Sequence, residues 1–190
     1  LKHLRGLRYD RSIRNDINNT LQSMMQSSLQ SPRHRRESFS TTSRKKKGII
    51  AQFTLASMLP EYPVVMDMFG VGPTLGPQLI AEIGDVRRFY SKKALVAYAG
   101  LDAPPNDSGD VTGKHKSMSK IGASSLRRTL FLVMSVYLQT APLDEPVYQF
   151  MDRKRAEGKP YRVYMMASAN KFLRIYYATV KAYLESLEQV

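Results

Sequence analysis

A candidate nucleophile, Ser108, lies between an aspartate and a glycine in a polar stretch of the chain. A Ser-Lys-x-Gly sequence follows at residues 119–122, and a predicted helix then carries Arg127 and Arg128 in its first turn. Acids are normally preferred at a helix N-terminus, so two arginines there indicate that an anion compensates them. Arginine side chains and backbone donors would stabilise the transition-state charge of a phosphodiester. The pattern predicts serine chemistry on a phosphate, with Lys120 as a further phosphate-binding residue.

Other interpretations of this loop stay open. An ordinary turn serine and solvent-facing cations explain the same residues without a ligand. Proximity in sequence alone makes His115 a candidate general base for Ser108. Three loop carboxylates are candidate magnesium ligands: Asp102, Asp107 and Asp110. No pair of carboxylates lies on a predicted strand, so this chain does not supply a complete two-metal nuclease site, and no metal ligand is assigned to it.

The charge balance restricts the class of partner. A net charge of +13 in 190 residues is typical of proteins that bind a polyanion, meaning DNA, RNA or an anionic membrane surface. The chain has no cysteine, which excludes disulfides and thiolate metal sites. The longest apolar run, near residues 130–138, is about half a membrane span, so no membrane segment is predicted.

The first quarter of the chain is predicted to divide into two parts. Residues 1–26 form an amphipathic helical connector, with apolar residues at three- and four-residue spacing. Arginines wind around its other side, and solvated surface charge explains them better than a phosphate track does: Arg5, Arg8, Arg11 and Arg14. Residues 27–48 are basic and rich in Ser, Thr and Gln, which predicts a disordered linker.

Two glycines separated by one residue, Gly70 and Gly72, lie between predicted helices. This is typical of a helix-hairpin-helix, predicted at about residues 64–84, in which exposed N–H groups and a helix N-terminus bind one DNA phosphate. Pro73 suits the first position of the second helix, which runs over Leu75–Ile83. A glycine-rich connection without a ligand is the alternative.

Helical periodicity dominates the rest of the chain, so the predicted fold is all-α with a long C-terminal helix. Ser91 is the predicted N-cap of a short helix, and a loop then follows from residue 101 to 118. Pro142 and Pro146 are predicted to interrupt the helical structure. Asn170 interrupts the apolar seam of the last helix, where pairing between subunits and packing within one chain explain it equally well.

Several short motifs follow one another in a fixed order through residues 60–185: Phe69-Gly70-Val71-Gly72, Leu79-Ile80-Ala81-Glu82-Ile83-Gly84, Tyr98-Ala99-Gly100-Leu101, Asp107-Ser108-Gly109, Ser119-Lys120-Ile121-Gly122 and Leu126-Arg127-Arg128-Thr129-Leu130. Each is weak alone. The ordered series resembles the C-terminal transposase domain of the insertion-sequence-110 family, a group of bacterial and archaeal mobile elements. The resemblance assigns residues 49–190 to that domain.

The resemblance implies a DNA recombinase in which a serine, here Ser108, forms a covalent phosphoserine link to DNA. It implies Mg²⁺ held by an N-terminal RuvC-like domain rather than by this chain alone. Further expectations are a structured guide RNA, a dimer or tetramer, and a cytoplasmic, nucleoid-associated location.

Two departures from the family pattern open alternatives. The four acids of the RuvC-like domain are not in this sequence, so the chain is expected to be inactive alone. Residues 27–48 do not resemble the family's helical connector, and an insertion or a frame-shifted segment would explain them. The rival functions are a non-catalytic helix-hairpin-helix module that binds DNA or RNA, and a decayed transposase remnant.

Overall fold

The computed structural model describes residues 11–29, 51–102, 107–108, 111–112 and 118–189, and these are almost entirely helical. The elements are α1 (Arg11–Leu29), α2 (51–56), α3 (Tyr62–Met66), α4 (Leu75–Ile83), a 3₁₀ turn (Val86–Arg88), α5 (Lys92–Tyr98), β1 (Asp107–Ser108), β2 (Val111–Thr112), α6 (Ser124–Thr140), α7 (Pro146–Ala156) and α8 (Tyr161–Glu188). The strands form one short antiparallel pair. The all-α prediction is confirmed, while most of the predicted linker lies outside the described ranges.

The long C-terminal helix α8 is the element around which the domain packs. Its 28 residues span about 42 Å at 1.5 Å per residue, and it contacts α3, α5, α6 and α7. Phe172, Leu173 and Val180 are buried along it. Helical spacing also predicts Val163 and Leu187 on the apolar seam of this helix, and that prediction was wrong, because both side chains are exposed.

Asn170 makes contacts within the chain. Its side-chain N–H donates to the Leu101 carbonyl at 3.3 Å, and its amide oxygen accepts from Arg174 Nε at 2.8 Å. Packing within one chain therefore accounts for this polar residue without a second subunit.

The position of Arg14 differs from the prediction of solvated charge. Its side chain is 2% exposed, pairs with Glu61, and lies 3.4 Å from Asp85 Oδ1. The reason is that α1 docks on α4 through a face that contains Arg14 together with Ile17 and Leu21. A buried arginine requires acidic partners from elsewhere in the chain, which helical periodicity does not reveal.

Two prolines occupy positions that the sequence interpretation assigned incorrectly. Pro146 does not break the chain but begins helix α7, where a missing N–H costs nothing. Pro73 precedes α4, whose N-cap is Thr74. By contrast, α4 covers the predicted run and ends at Gly84, and the Ser91 hydroxyl caps α5 by accepting from the Ala94 N–H at 3.2 Å.

Candidate functional site

The Ser-Lys-x-Gly turn pairs with the segment that follows α5. Three backbone hydrogen bonds join residues 98–102 to residues 119–123, and we call this paired structure the clasp: Ser119 N–H to Asp102 C=O at 2.8 Å, Lys120 N–H to Gly100 C=O at 3.2 Å, and Ala123 N–H to Tyr98 C=O at 2.9 Å. The loop that contains Ser108 leaves and returns through the clasp. Sequence analysis identified both segments as motifs but not their pairing.

The clasp requires glycine where its two segments come closest. A side-chain Cβ at Gly122 would lie 2.3 Å from the Tyr98 carbonyl oxygen, and Gly122 has φ of 147°. A Cβ at Gly100 would lie 2.9 Å from the Ile121 carbonyl oxygen, with φ of 65°. These glycines are therefore explained by close backbone approach. Lys120 also adopts a left-handed φ of 55°, which is unfavourable for a residue other than glycine.

The side chains at the base of the loop bond to one another. Ser119 Oγ donates to Asp102 Oδ1 at 2.5 Å. Asp102, one of the candidate magnesium ligands, is thus engaged by the protein. In the ranges that the structure covers, no three His, Asp or Glu side chains lie close enough to hold a metal ion. Asp110, His115 and the Asp107 side chain lie outside what the structure describes, so their proposed roles stay predictions.

Ser108 lies in strand β1, opposite Val111 of β2. The sequence predicted a loop here without strands, so the short hairpin is a correction. Because the Ser108 side chain is not among the described groups, its nucleophilic role stays a prediction.

Arg127, at the start of α6, has a structural contact of its own. Its Nη1 donates to the Ala99 carbonyl at 3.0 Å, and the side chain is half-buried. Ala99 is the C-cap of α5, where a cation is favoured by the helix dipole. Arg128 and Lys120 are exposed instead. Of the three predicted phosphate-binding cations, these two are therefore the more accessible to an external phosphate.

The chain also supplies an anion at the N-terminus of α6. Glu82 of α4 is only 8% exposed, and Ser125 Oγ in the first turn of α6 donates to Glu82 Oε2 at 2.5 Å. Burial raises the pKa of Glu82, and the hydrogen bond from Ser125 opposes that rise. Glu82 therefore places a carboxyl group beside the first turn of α6, a contact that sequence analysis did not predict.

The connection between α3 and α4 packs against α6. A Cβ at Gly70, which has φ of 77°, would lie 3.1 Å from the Tyr137 ring, whereas a Cβ at Gly72 would meet nothing within 4 Å. An open depression of about 470 Å³ is lined by residues 69–75 and Val136. Turn geometry and packing account for Gly70, and phosphate binding at this connection stays a prediction.

Comparison with known proteins shows which family this part of the chain resembles. Residues 62–149 match the family model described as Transposase IS116/IS110/IS902 family. This segment is similar to the transposase domain of that family. It extends from α3 into the first turn of α7 and contains both halves of the clasp. All the predicted site residues lie within it: Gly70, Gly72, Ser108, Lys120, Arg127 and Arg128.

Curated relatives extend the similarity beyond the transposase domain. The 42 kDa protein of insertion element IS900 from Mycobacterium paratuberculosis is 32% identical over 119 residues, which cover 62% of this chain and 29% of the relative. The pilin gene-inverting protein of Moraxella bovis is 31% identical over 126 residues, which cover 66% of this chain and 37% of the relative. The match thus spans about a third of the length of these relatives. Among the described helices, none is long and apolar enough to cross a membrane.

Proposed function

We propose that this chain acts in DNA transposition or a related DNA recombination, binding DNA and contributing Ser108 as the nucleophile of strand cleavage. The observation that carries the proposal is the match of residues 62–149 to the transposase family. The name of the Moraxella relative, which inverts a pilin gene, supports rearrangement of DNA as the outcome. The clasp supports a site, because it joins both ends of the Ser108 loop next to the exposed Lys120 and the start of α6.

The proposed chemistry is the transfer of a DNA phosphoryl group to a serine and then to a new DNA strand. Ser108 Oγ attacks the phosphorus of a DNA phosphodiester and loses its proton to a base. The bond from phosphorus to one deoxyribose oxygen breaks, and that oxygen leaves as a hydroxyl after gaining a proton. A DNA hydroxyl then attacks the phosphoserine, restores the serine and joins a new strand. Each step forms one phosphoester bond and breaks one. Because the number of these bonds does not change, no external energy source is required.

Lys120 and Arg128 are the proposed phosphate-binding side chains, because both are exposed beside the clasp. Arg127 contributes by holding the α5 C-terminus against α6, with its remaining donors available to a phosphate. Gly70 and Gly72 are proposed to bind backbone phosphate at a second point through the backbone N–H groups of the α3–α4 connection.

The remaining partners follow from the family resemblance. Mg²⁺ is expected to act through an RuvC-like domain, and a structured guide RNA and a dimer or tetramer complete the proposed assembly. A cytoplasmic, nucleoid-associated location is expected for a DNA recombinase of this kind.

Covalent trapping tests the nucleophile. Labelled duplex DNA is incubated with the chain, Mg²⁺, an RuvC-like domain from a relative and its guide RNA, and the products are separated on a denaturing gel. We expect a protein–DNA adduct that disappears in Ser108→Ala and persists in Ser186→Ala, a control that removes an exposed α8 serine. An adduct that survives Ser108→Ala would contradict the proposal.

A non-catalytic nucleic-acid-binding module is the second candidate, and the Glu82 and Arg127 contacts favour it. These contacts place a carboxyl group beside the first turn of α6 and an arginine on the last carbonyl of α5 without any ligand. Under this alternative, Ser108→Ala leaves duplex affinity unchanged and no adduct forms with the parent chain, although an active full-length relative forms one.

Salt dependence tests the proposed phosphate contacts. Each of Lys120→Ala and Arg128→Ala is expected to reduce the slope of log affinity against log salt by about 1, uniformly across DNA sequences. Lys181→Ala on α8 is the control for loss of one positive charge. Unchanged slopes in both variants would remove these residues from the proposed site.

A further inference from the structure

A polar cleft of about 570 Å³ lies between α1 and the segment that runs from α4 to α5. Its α1 wall is built from amides at helical spacing: Asn15, Asn18, Asn19 and Gln22. Glu82, Arg88 and Tyr98 contribute to the opposite wall. None of the four amides is among the predicted site residues, and α1 lies outside the segment that matches the transposase family.

The side chains of this cleft are held in place by the protein. The Arg88 guanidinium lies 4.6 Å from the centroids of both the Phe89 and Tyr98 rings, and its Nε donates to the Ile83 carbonyl at 3.1 Å. Gln22 Nε2 donates to the Ala81 carbonyl at 2.8 Å. Gln22 on one wall and Arg88 on the other are therefore positioned before any ligand enters.

Asn18 provides an independent indication of a ligand. The residue is 8% exposed, and within the described part of the chain its Oδ1 is buried without a hydrogen-bond partner. A buried acceptor left unpaired costs about 1–3 kcal/mol, so native proteins normally satisfy it with water or a bound group. Since Asn18 lines the cleft, a donor group in the cleft would satisfy it.

The chemistry of the walls indicates what that group is. Side-chain amides offer a donor and an acceptor together, which matches the edges of nucleobases, and arginine planes and aromatic rings stack on their faces. Phosphate is a poor fit, because the acids Glu82 and Asp85 line the cleft together with Arg87 and Arg88, and Arg87 already pairs with Asp85 at 2.9 Å.

We propose that this cleft binds an unstacked nucleobase of a single-stranded nucleic acid. The proposal rests on the proposed function in that the chain must bind nucleic acid. It adds a site that distinguishes bases, which phosphate contacts do not. Both a guide RNA and an opened DNA strand present such a base.

Fluorescence anisotropy of the whole chain with labelled ten-nucleotide homopolymers tests the proposal. The probes are rA, rC and rU oligomers and dA, dC and dT oligomers. The test variant is Asn15→Ala/Asn19→Ala, which removes two exposed amides from the cleft. Thr20→Ala/Ser23→Ala is the matched control, because it removes two exposed polar side chains elsewhere on α1. Equal melting temperatures of the two variants confirm that α1 remains folded.

We expect the parent chain to prefer one base over the others by about tenfold, with the preference lost in the Asn15/Asn19 variant and kept in the control. The series in which the preference occurs, RNA or DNA, identifies the strand that is bound. Binding without base preference, or a preference that survives in the Asn15/Asn19 variant, would contradict the proposed nucleobase site and leave the proposed function intact. Absence of binding to every oligomer and to duplex DNA would overturn both.

Discussion

At the scale of single residues, Glu82 determines how the α6 N-terminus is stabilised. Its carboxylate accepts from Ser125 in the first turn of α6, but α4 buries it. A carboxylate at a helix N-terminus is favourable, whereas burial opposes its ionisation. The two effects compete at this residue. Burial has the larger effect, and the pKa of Glu82 is therefore raised.

Replacing Glu82 tests the sign of this competition. Because the folded-state pKa of Glu82 lies above the unfolded value, its contribution to stability is fully present below the unfolded pKa and is lost as pH rises through the folded-state pKa. Glu82→Gln keeps an acceptor for Ser125 and cannot ionise. We expect its unfolding free energy to match the parent's within about 1 kcal/mol at pH 4 and to exceed it at pH 7.

Urea denaturation at the two pH values measures this difference, with exposed Glu185→Gln as the control. A Glu82→Gln variant that loses stability relative to the parent between pH 4 and pH 7 would mean that the ionised carboxylate stabilises α6.

At the scale of elements, the clasp depends on glycine for the approach of two backbones. Gly122→Ala is expected to lower the unfolding free energy by about 3 kcal/mol, because the added Cβ would overlap the Tyr98 carbonyl oxygen in addition to disfavouring φ of 147°. Gly158 has φ of 71° with open space around it, so Gly158→Ala is expected to cost only about 1–2 kcal/mol.

Chemical denaturation of the two variants separates the cost of a steric overlap from the cost of a positive φ. Both glycines have positive φ, but only at Gly122 would an added Cβ meet other atoms. Gly72→Ala, which has neither constraint, provides the baseline. Equal losses for Gly122→Ala and Gly158→Ala would show that the clasp tolerates a side chain at residue 122.

At the scale of the whole molecule, α1 is joined to the helical domain by a buried ion pair. Arg14 and Glu61 are separated by 47 residues and are both almost fully buried. Burial raises the pKa of Glu61, and Arg14 opposes that rise. Asp85 also faces Arg14, and although burial raises its pKa, hydrogen bonds from Arg87 and the charge of Arg14 outweigh that effect and lower it.

A double-mutant cycle tests the energetic importance of this pair. Arg14→Met is expected to lower the unfolding free energy by about 3–5 kcal/mol, because it leaves Glu61 buried without its cation. Arg14→Met/Glu61→Leu is expected to lose less than the sum of the single variants. The exposed Arg87–Glu188 pair is the control, and Glu188→Gln is expected to cost under about 1 kcal/mol. Additive losses at Arg14 and Glu61 would indicate that the two charges are not coupled.

The sequence by itself determined what depends on neighbouring residues. The helix over Leu75–Ile83 and the Ser91 cap follow from periodicity and capping, which act within a few residues. The resemblance to the transposase family also follows from the order of short motifs, each of which is a local property of the chain. Pro146 was the local exception, because a proline at a helix start and one at a chain break look alike without the flanking packing.

Tertiary structure alone decided which distant groups meet. The clasp joins residues 98–102 to 119–123. Glu82 bonds to Ser125 of α6, which lies 43 residues further along the chain. Arg14 is buried because it pairs with Glu61. In each case a charged or polar group has several environments compatible with its own helix, and the energetically satisfied one depends on partners far along the chain. Periodicity fixes the faces of a helix, but burial and pairing determine what each charged residue on those faces does.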